Sequence, residues 1–250
     1  MLFKTIYGPE LESIFNFISK HGPVKRELLY RAYLPVVQGS LGNKTNLDDA
    51  ITFLISSNLV QKDISETLQV KAKGEKFKLL LLTNLRQIQE ERSEAKSIMD
   101  AWFLNLLEIL FIKPNQLVLF KLHQRFNDCG APEIISEEKV NAWRRFMEYM
   151  GAGRRVFSGF YSLYSPGLLL ELIKSWPEKE GPIQLFFEEQ MGKYIPWQTS
   201  EGDAASAVTT GLTYLENNKL LTLTPRQDLP YRSYLGSRKI KWIRKESVNK

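Results

Sequence analysis

The chain has 250 residues with a formal net charge of +6, and its 43% hydrophobic, 12% aromatic and 25% charged residues exclude wholesale disorder. A single cysteine excludes an internal disulfide framework and a structural zinc site, which needs about four ligands, and two histidines disfavour a multi-histidine metal site. No signal peptide is visible, and the apolar runs are shorter than the roughly 20 residues of a membrane span. We therefore expect no membrane segment and a cytoplasmic location.

Residues 1–73 are predicted to form three helices followed by a β-hairpin. Apolar residues recur at helical spacing in the first helix, and a Gly22-Pro23 pair separates it from a short second helix. The third helix is predicted to begin at Asn46, its N-cap. Two strand-like segments, Leu59–Asp63 and Thr67–Lys73, then form the hairpin.

Residues 74–112 are predicted to form a helical connector. The segment from Glu75 to Arg92 has a wide apolar face, and the helical pattern resumes after a break at Ser93. A long helix of this kind can have a dedicated role, in which it holds the modules together or forms a dimer contact. The alternative is ordinary packing between domains.

Residues 113–165 are either a further, weaker copy of the same unit or a second part of the connector. The segment Asn115–Phe126 has the pattern of an amphipathic helix, and Ser136 is a predicted N-cap for a helix that runs to Met150. The aromatic stretch that follows suggests a hairpin with Ser158-Gly159 as its turn.

Residues 166–250 repeat the first unit. Gly181-Pro182 corresponds to Gly22-Pro23 at an offset of 159 residues, and Tyr194-Ile195-Pro196 corresponds to Tyr33-Leu34-Pro35 at an offset of 161. One two-residue insertion explains the change of offset, so the sequence indicates a duplicated unit. A third helix with Asp203 or Ser200 as its N-cap leads into two strands joined by a long loop.

Three helices followed by a β-hairpin resemble the winged-helix family. The segments FLISSNLVQKD (53–63) and YLENNKLLTL (214–223) resemble the end of that family's third helix running into its first wing strand. The resemblance covers residues 8–73 and 166–245. It implies a mainly α fold with small β-hairpin wings (α+β), in which tandem winged-helix domains are joined by a helical segment. It also implies either nucleic-acid binding through the third helix and the wing or use as a protein–protein module.

Catalytic motifs are absent from the sequence. It has no GxxxxGK[ST] phosphate loop, no GxSxG elbow and no HExxH pair. Glu133, Glu137 and Lys139 only loosely imitate a nuclease cluster, because the segment between them is too short to place them on separate strands. We expect no catalytic residue, no cofactor and no metal.

Two basic groups are the candidate DNA-binding residues. Arg144 and Arg145 are predicted on the third helix of the middle unit, with Arg154 and Arg155 at the base of its wing. The C-terminal group follows from the charge distribution, because residues 219–250 sum to +7 and residues 1–218 to −1. Its members in the wing and the last strand are Arg226, Arg232, Arg238, Lys239, Lys241, Arg244 and Lys245. Thr209 and Thr210, on the adjacent third helix, are predicted to donate to phosphates.

These features predict a non-enzymatic double-stranded DNA-binding protein whose phosphate contacts come mainly from the basic C-terminal wing. It would act in a larger assembly, such as transcription control, phage defence or genome maintenance, and would then be nucleoid-associated. The alternative is a protein–protein adaptor or homodimer that resembles the winged-helix accessory subunits of condensin-like complexes. Asp48 and Asp49 favour that alternative, because carboxylates in the first turn of a third helix would repel phosphate.

Overall fold

A computed structural model of the chain describes residues 2–4, 6–37, 40–71, 76–91 and 98–246. Within these ranges the fold is mixed α+β, with helices that carry three small three-stranded antiparallel sheets and one two-stranded sheet. The predicted combination of helices with small β-hairpins is confirmed at this level. The predicted break at Ser93 and the boundary between residues 73 and 74 lie outside the described ranges. No described helix has both the length and the apolar character needed to cross a membrane.

The first segment contains three helices, a two-stranded sheet and a hairpin. Its elements are α1 (Gly8–His21), β1 (Val24–Lys25), α2 (Arg26–Tyr33), β2 (Val36–Val37), β3 (Ser40–Leu41), α3 (Thr45–Ser56), β4 (Val60–Lys62) and β5 (Thr67–Val70). The predicted hairpin is confirmed, and the short strand β1 adds to its second strand to give the order β1-β5-β4. The predicted N-cap at Asn46 is wrong. The helix begins at Thr45, whose backbone N–H and hydroxyl both donate to Asn43 Oδ1, at 2.9 and 2.8 Å.

Two helices connect the first segment to the rest of the chain. They are α4 (Phe77–Glu90) and α5 (Ile98–Leu107), and α5 continues as a π-helical turn (Glu108–Ile112). Arg86 of α4 donates to Glu108 Oε2 at 2.9 Å and to the carbonyl oxygen of Gly192 at 3.2 Å. This single side chain therefore ties α4 both to the π-helical turn and to the C-terminal segment.

The middle segment has a short strand, two helices and a hairpin after α5. Its elements are β6 (Val118–Leu119), α6 (Leu122–Asp128), α7 (Glu137–Met150), β7 (Arg154–Val156) and β8 (Gly159–Tyr161). Ser136 is the N-cap of α7 as predicted, with its Oγ accepting from Lys139 N at 3.3 Å. The hairpin is also confirmed, although its turn is Phe157-Ser158 because Val156 pairs with Gly159.

The predicted helix over Asn115–Phe126 is wrong in its first half. Val118 and Leu119 pair with β8, and the helix begins only at Leu122. Asn115 and Lys121 both have positive φ, 54° and 53°, which breaks the helical path on either side of the strand. Pairing with a distant strand has overridden the local amphipathic pattern.

The C-terminal segment repeats the element order of the first. Its elements are α8 (Pro166–Ser175), β9 (Glu180–Pro182), α9 (Ile183–Leu185) with a π turn (Phe186–Gln190) and a 3₁₀ turn (Met191–Lys193), α10 (Ser206–Asn217), β10 (Leu221–Thr224), a 3₁₀ turn (Gly236–Arg238) and β11 (Trp242–Lys245). The sheet order is β10-β11-β9. The predicted N-caps at Asp203 and Ser200 are wrong, because α10 begins at Ser206 with Ala205 in the cap position.

The segments share one continuous apolar core. Phe53 of α3, Phe103 of α5 and Phe146 of α7 form an aromatic cluster, in which the Phe146 centroid lies 5.1 Å from Phe53 and 5.3 Å from Phe103. Trp143 of α7 donates its indole N–H to the carbonyl oxygen of Phe103 at 2.7 Å. Edge-to-face aromatic pairs add about 0.5–1.5 kcal/mol each beyond the apolar area that they bury. The first and middle segments are therefore joined by buried side chains.

Candidate nucleic-acid and protein interfaces

The third helix of the middle segment, α7, is covered along one side by α1. Tyr149 donates its hydroxyl to Glu12 Oε2 at 2.5 Å, and the Arg145 guanidinium lies 5.4 Å from the centroid of the Tyr7 ring. Burial and the bond to Glu12 raise the pKa of Tyr149 well above its usual value. The exposed first turn of α7 carries Glu137 and Glu138, which suit the helix dipole but would repel a phosphate backbone.

The third helix of the C-terminal segment, α10, is docked at its N-terminus. Ser206 donates its backbone N–H to Asn115 Oδ1 at 2.7 Å, so a middle-segment side chain satisfies one of the free donors of the helix. Thr209 is half-buried, whereas Thr210 and Tyr214 are exposed. Of the two predicted threonines, only Thr210 therefore lies on the open face of α10.

The third helix of the first segment, α3, uses its acidic residues internally. Asp48 accepts from the Tyr30 hydroxyl at 2.7 Å and from Arg26 Nη1 at 3.1 Å, and Asp49 pairs with Lys4 at 2.9 Å. The two carboxylates, which the sequence places on an exposed face, are half-buried and attach α3 to α2 and to the N-terminal residues. Their charge is locally neutralised rather than presented to a partner.

Arg144 positions the β7–β8 hairpin. Its side chain is 8% exposed, and it donates from Nη1 to Asn141 Oδ1 at 2.9 Å and from Nη2 to the carbonyl oxygen of Phe157 at 2.6 Å. Burial and the nearby charge of Arg155 lower its pKa. The prediction that Arg144 contacts phosphate therefore conflicts with its burial, since its guanidinium is occupied in attaching the β7–β8 turn to α7.

The other two middle arginines face opposite sides of the hairpin. Successive strand residues alternate between faces, and Arg154 and Arg155 line two different clefts. The Arg155 cleft, between α7 and the hairpin turn, has a volume of about 700 Å³, and the Arg154 cleft, against the start of α8, about 420 Å³. Arg155 donates from Nε to Glu148 Oε2 at 2.6 Å, whereas Arg154 is exposed and has no ion pair within the described ranges. The four predicted arginines therefore do not form one surface.

Four of the C-terminal cations already have partners. Arg238 makes a bidentate contact with Glu216 at 2.7 and 3.0 Å, and Arg244 pairs with Glu246 at 2.8 Å. Lys241 Nζ donates to the carbonyl oxygen of Leu229 at 2.7 Å, and Lys245 Nζ donates to that of Trp176. These contacts hold the C-terminal loop (225–241) and the last strand in place. The sequence did not indicate Glu216 as the partner of Arg238.

Three of the seven predicted C-terminal cations remain on the surface without an ion pair among the described residues. Arg226 stacks on Trp242, 4.0 Å from its ring, Arg232 lies 5.4 Å from the Tyr234 ring, and Lys239 is exposed. We call them the free C-terminal cations. They retain the positive field that the sequence predicts for this end of the chain, although with fewer available charges.

The C-terminal loop is packed rather than projecting. Tyr234 is 1% exposed, and its ring lies 5.0 Å from Phe187 and 5.4 Å from Trp197. Arg232 donates its backbone N–H to Gln184 Oε1 at 2.8 Å. The aromatic residues that the sequence places among the cations therefore include one that anchors the loop to the segment's own core.

The β4–β5 and β7–β8 hairpins, by contrast, each carry an exposed apolar residue at the turn. Ile64 in the β4–β5 turn is fully exposed, and Phe157 in the β7–β8 turn is 97% exposed. Isolated exposed apolar residues are common, but these two occupy equivalent turns. The sequence analysis did not single out either residue, although both follow directly from a strand-like pattern.

Within the described ranges, no cluster of three or more His, Cys, Asp or Glu side chains is arranged to hold a metal ion. Cys129 is half-buried, and this burial raises the pKa of its thiol, which disfavours the reactive thiolate. No protein-family model, curated protein or solved structure matches the chain.

Proposed function

We propose that the chain consists of three tandem winged-helix units held together by α4 and α5. Topology supports this proposal, because each unit has the order helix, short strand, helix, helix, hairpin when α5 is counted as the first helix of the middle unit. In each sheet the short strand pairs with the second strand of the hairpin, at β1-β5, β6-β8 and β9-β11. The first and third units are those that the sequence repeat relates, and the middle unit is the diverged copy.

We further propose that these units form a non-enzymatic docking protein whose main target is another protein. One observation carries this proposal: α3 and α7 pack against neighbouring segments and α10 is docked at its first turn, although the α10 face with Thr210 and Tyr214 stays open. Phe53 of α3 and Phe146 of α7 pack into the shared core, and the first turn of α10 docks on Asn115. A third helix must be free on its outer face to enter the major groove. Winged-helix surfaces that already make protein contacts within the chain suit the adaptor role.

Site-specific photocrosslinking in the source cells tests this proposal. A benzoylphenylalanine photocrosslinker replaces Ile64, Phe157 or Tyr214, and the exposed residue Lys20 serves as the matched control position. We expect ultraviolet-dependent adducts to a discrete protein at one or more of the three positions and none at Lys20. Adducts to nucleic acid alone, or equal labelling at all four positions, would refute the docking proposal.

Double-stranded DNA is the second candidate target, and the free C-terminal cations favour it. Sequence-independent DNA binding needs only phosphate contacts, so it does not require a free third helix. Anisotropy titration of a labelled random duplex of about 30 base pairs at low and physiological salt tests this candidate. Tight binding that weakens steeply with salt would support it, and absence of binding at low salt would eliminate it. The larger assembly, whether in transcription control, phage defence or genome maintenance, is part of the same proposal.

A further inference from the structure

The Arg155 cleft brings three arginines together on the middle unit. Arg144 and Arg145 come from α7, Arg155 comes from β7, and Phe157 closes the cleft at the hairpin turn. Guanidinium groups repel one another, and the pKa of Arg144 is lowered by its burial and by the charge of Arg155. Glu148 neutralises Arg155 from one side only, in a pair that is half-exposed. The cleft therefore gathers three guanidinium groups, of which only Arg155 has an ion pair among the described residues, although Glu137 and Glu138 also line it.

Two donors of these guanidinium groups lack an acceptor. The Nε–H groups of Arg144 and Arg145 are shielded from solvent, and neither has a hydrogen-bond partner among the described residues. Arg144 is itself more than nine-tenths buried. An unpaired buried donor is unfavourable, and a carboxylate accepts from guanidinium groups in the geometry that these side chains offer.

The lining of the cleft is suited to a single anion rather than to a DNA backbone. Glu137 and Glu138 also line the cleft and are exposed, so they would repel a second negative charge. Duplex DNA carries one charge per about 1.7 Å along its axis, so a bound duplex needs a row of cations. A peptide can place one carboxylate at the arginines and keep its neighbours uncharged.

The apolar part of the cleft also favours a peptide. Phe157 is 97% exposed and has a φ of 43°, a conformation that Gly or Asn would adopt more easily. Phe120 is half-exposed and lies against the same hairpin, where a Cβ on Gly159 would meet it at 2.8 Å. Exposed aromatic residues beside charged groups are the usual anchors of protein interfaces.

From this geometry we infer that the Arg155 cleft binds a short acidic segment of a protein partner. A carboxylate of that segment is held by Arg145 and Arg155, while Arg144 keeps its bonds to Asn141 and Phe157, and an adjacent apolar residue packs on Phe157. This inference rests on the proposed docking function and assigns it a surface and a ligand chemistry.

Selection from a phage-displayed library of random 12-residue peptides on the full chain tests the inference. We expect the enriched peptides to share an Asp or Glu next to an aromatic or aliphatic residue. Their affinity, measured by anisotropy of the labelled peptides, should fall at least about tenfold when that acidic residue is replaced by its amide, because a charge-assisted contact is lost.

Matched variants locate the binding site. Arg155→Gln should weaken binding at least about tenfold, whereas Arg154→Gln, on the opposite face of the same strand, should leave it unchanged. Phe157→Asn removes the aromatic ring at a φ that Asn tolerates, and Ile64→Asn in the corresponding turn of the first wing is its control. Thermal unfolding of each variant establishes that it is folded.

The outcomes separate this inference from the docking function. Failure to enrich acidic peptides, or equal losses in Arg154→Gln and Arg155→Gln, would overturn the inference. Binding of a random duplex that depends on Arg155, without peptide binding, would overturn it in favour of DNA. Photocrosslinks to a protein at the wing tips, obtained together with such a failure, would leave docking supported and assign it to another surface.

Discussion

Replacing Phe146 with alanine tests whether the first and middle units share a core. Phe146 is 1% exposed and contacts the rings of Phe53 and Phe103 in two other elements. Phe-to-Ala substitutions in cores cost about 3–5 kcal/mol, and the two aromatic contacts place this one near the upper end, at about 4–5 kcal/mol. At roughly 2–4 °C per kcal/mol for a protein of this size, the melting temperature should fall by roughly 10–20 °C.

Urea denaturation followed by far-ultraviolet circular dichroism and tryptophan fluorescence measures the effect. Phe157→Ala, in an exposed turn, is the surface control and should change the free energy of unfolding by less than about 0.5 kcal/mol. The decisive comparison is a double-mutant cycle between Phe53→Ala and Phe146→Ala, which should give a coupling energy of about 0.5–1.5 kcal/mol. The matched cycle pairs Phe53→Ala with Phe126→Ala, since Phe126 contacts Trp143 within its own unit, and it should be additive. Additivity in the first cycle would refute the shared core and remove the main support for the docking proposal.

Three other predictions follow from single contacts. The pKa of Glu108 is held below its usual value, because its bonds to Arg86 and Gln89 outweigh the opposing effect of burial. The stabilisation from the Glu108 carboxylate is therefore complete above the unfolded pKa of about 4.3, and it is lost as the pH falls through the lower pKa of the folded state. Glu108→Gln should therefore make the free energy of unfolding less dependent on pH in this acidic range. Asn115→Ala removes the acceptor for the N–H of Ser206 and should lower the free energy of unfolding by about 0.5–2 kcal/mol in urea titrations; an unchanged value would contradict the docking of α10. If the chain binds duplex DNA, replacing the three free C-terminal cations by alanine should reduce the slope of log K against log salt by up to about 2.7. A reduction of about 0.9 from Arg238→Ala alone would contradict the pairing of that residue.

Apolar spacing predicted much of the secondary structure, because local geometry determines it. The hairpin of the first unit, the N-cap at Ser136 and the hairpin after Gly151 all follow from neighbouring residues in the chain. The segment around Val118 was misassigned because its strand forms only by pairing with Tyr161, more than forty residues away. A local amphipathic pattern carries no information about such a partner.

The availability of cations was harder to predict than their positions. Arg238 is neutralised by Glu216 only because the C-terminal loop folds back over the end of α10, a contact between residues 22 apart. Two other outcomes had a signal in the sequence. Arg144 follows Val140 by four residues and precedes Met147 by three, which places it on the buried stripe of α7. Arg154 and Arg155 are adjacent in a strand, so they had to face opposite sides.

Sharing a core between the units determines which surfaces are left for a partner. A domain of about 60 residues buries too little apolar surface to be more than marginally stable, so the contact between Phe53 of α3 and Phe146 of α7 increases the stability of both units. The middle wing shows the result. Its turn is held by the Arg144 bond to the Phe157 carbonyl oxygen, and α7 is in turn fixed to α1 through Tyr149 and Glu12. The exposed Phe157 ring therefore projects from a turn that is fixed by contacts with both units. The two three-residue strands of its own hairpin are not the only support of that turn. A ligand-binding group held by a rigid support loses little conformational freedom on binding, which is the physical reason for assigning the contact surface to the wing rather than to the helices.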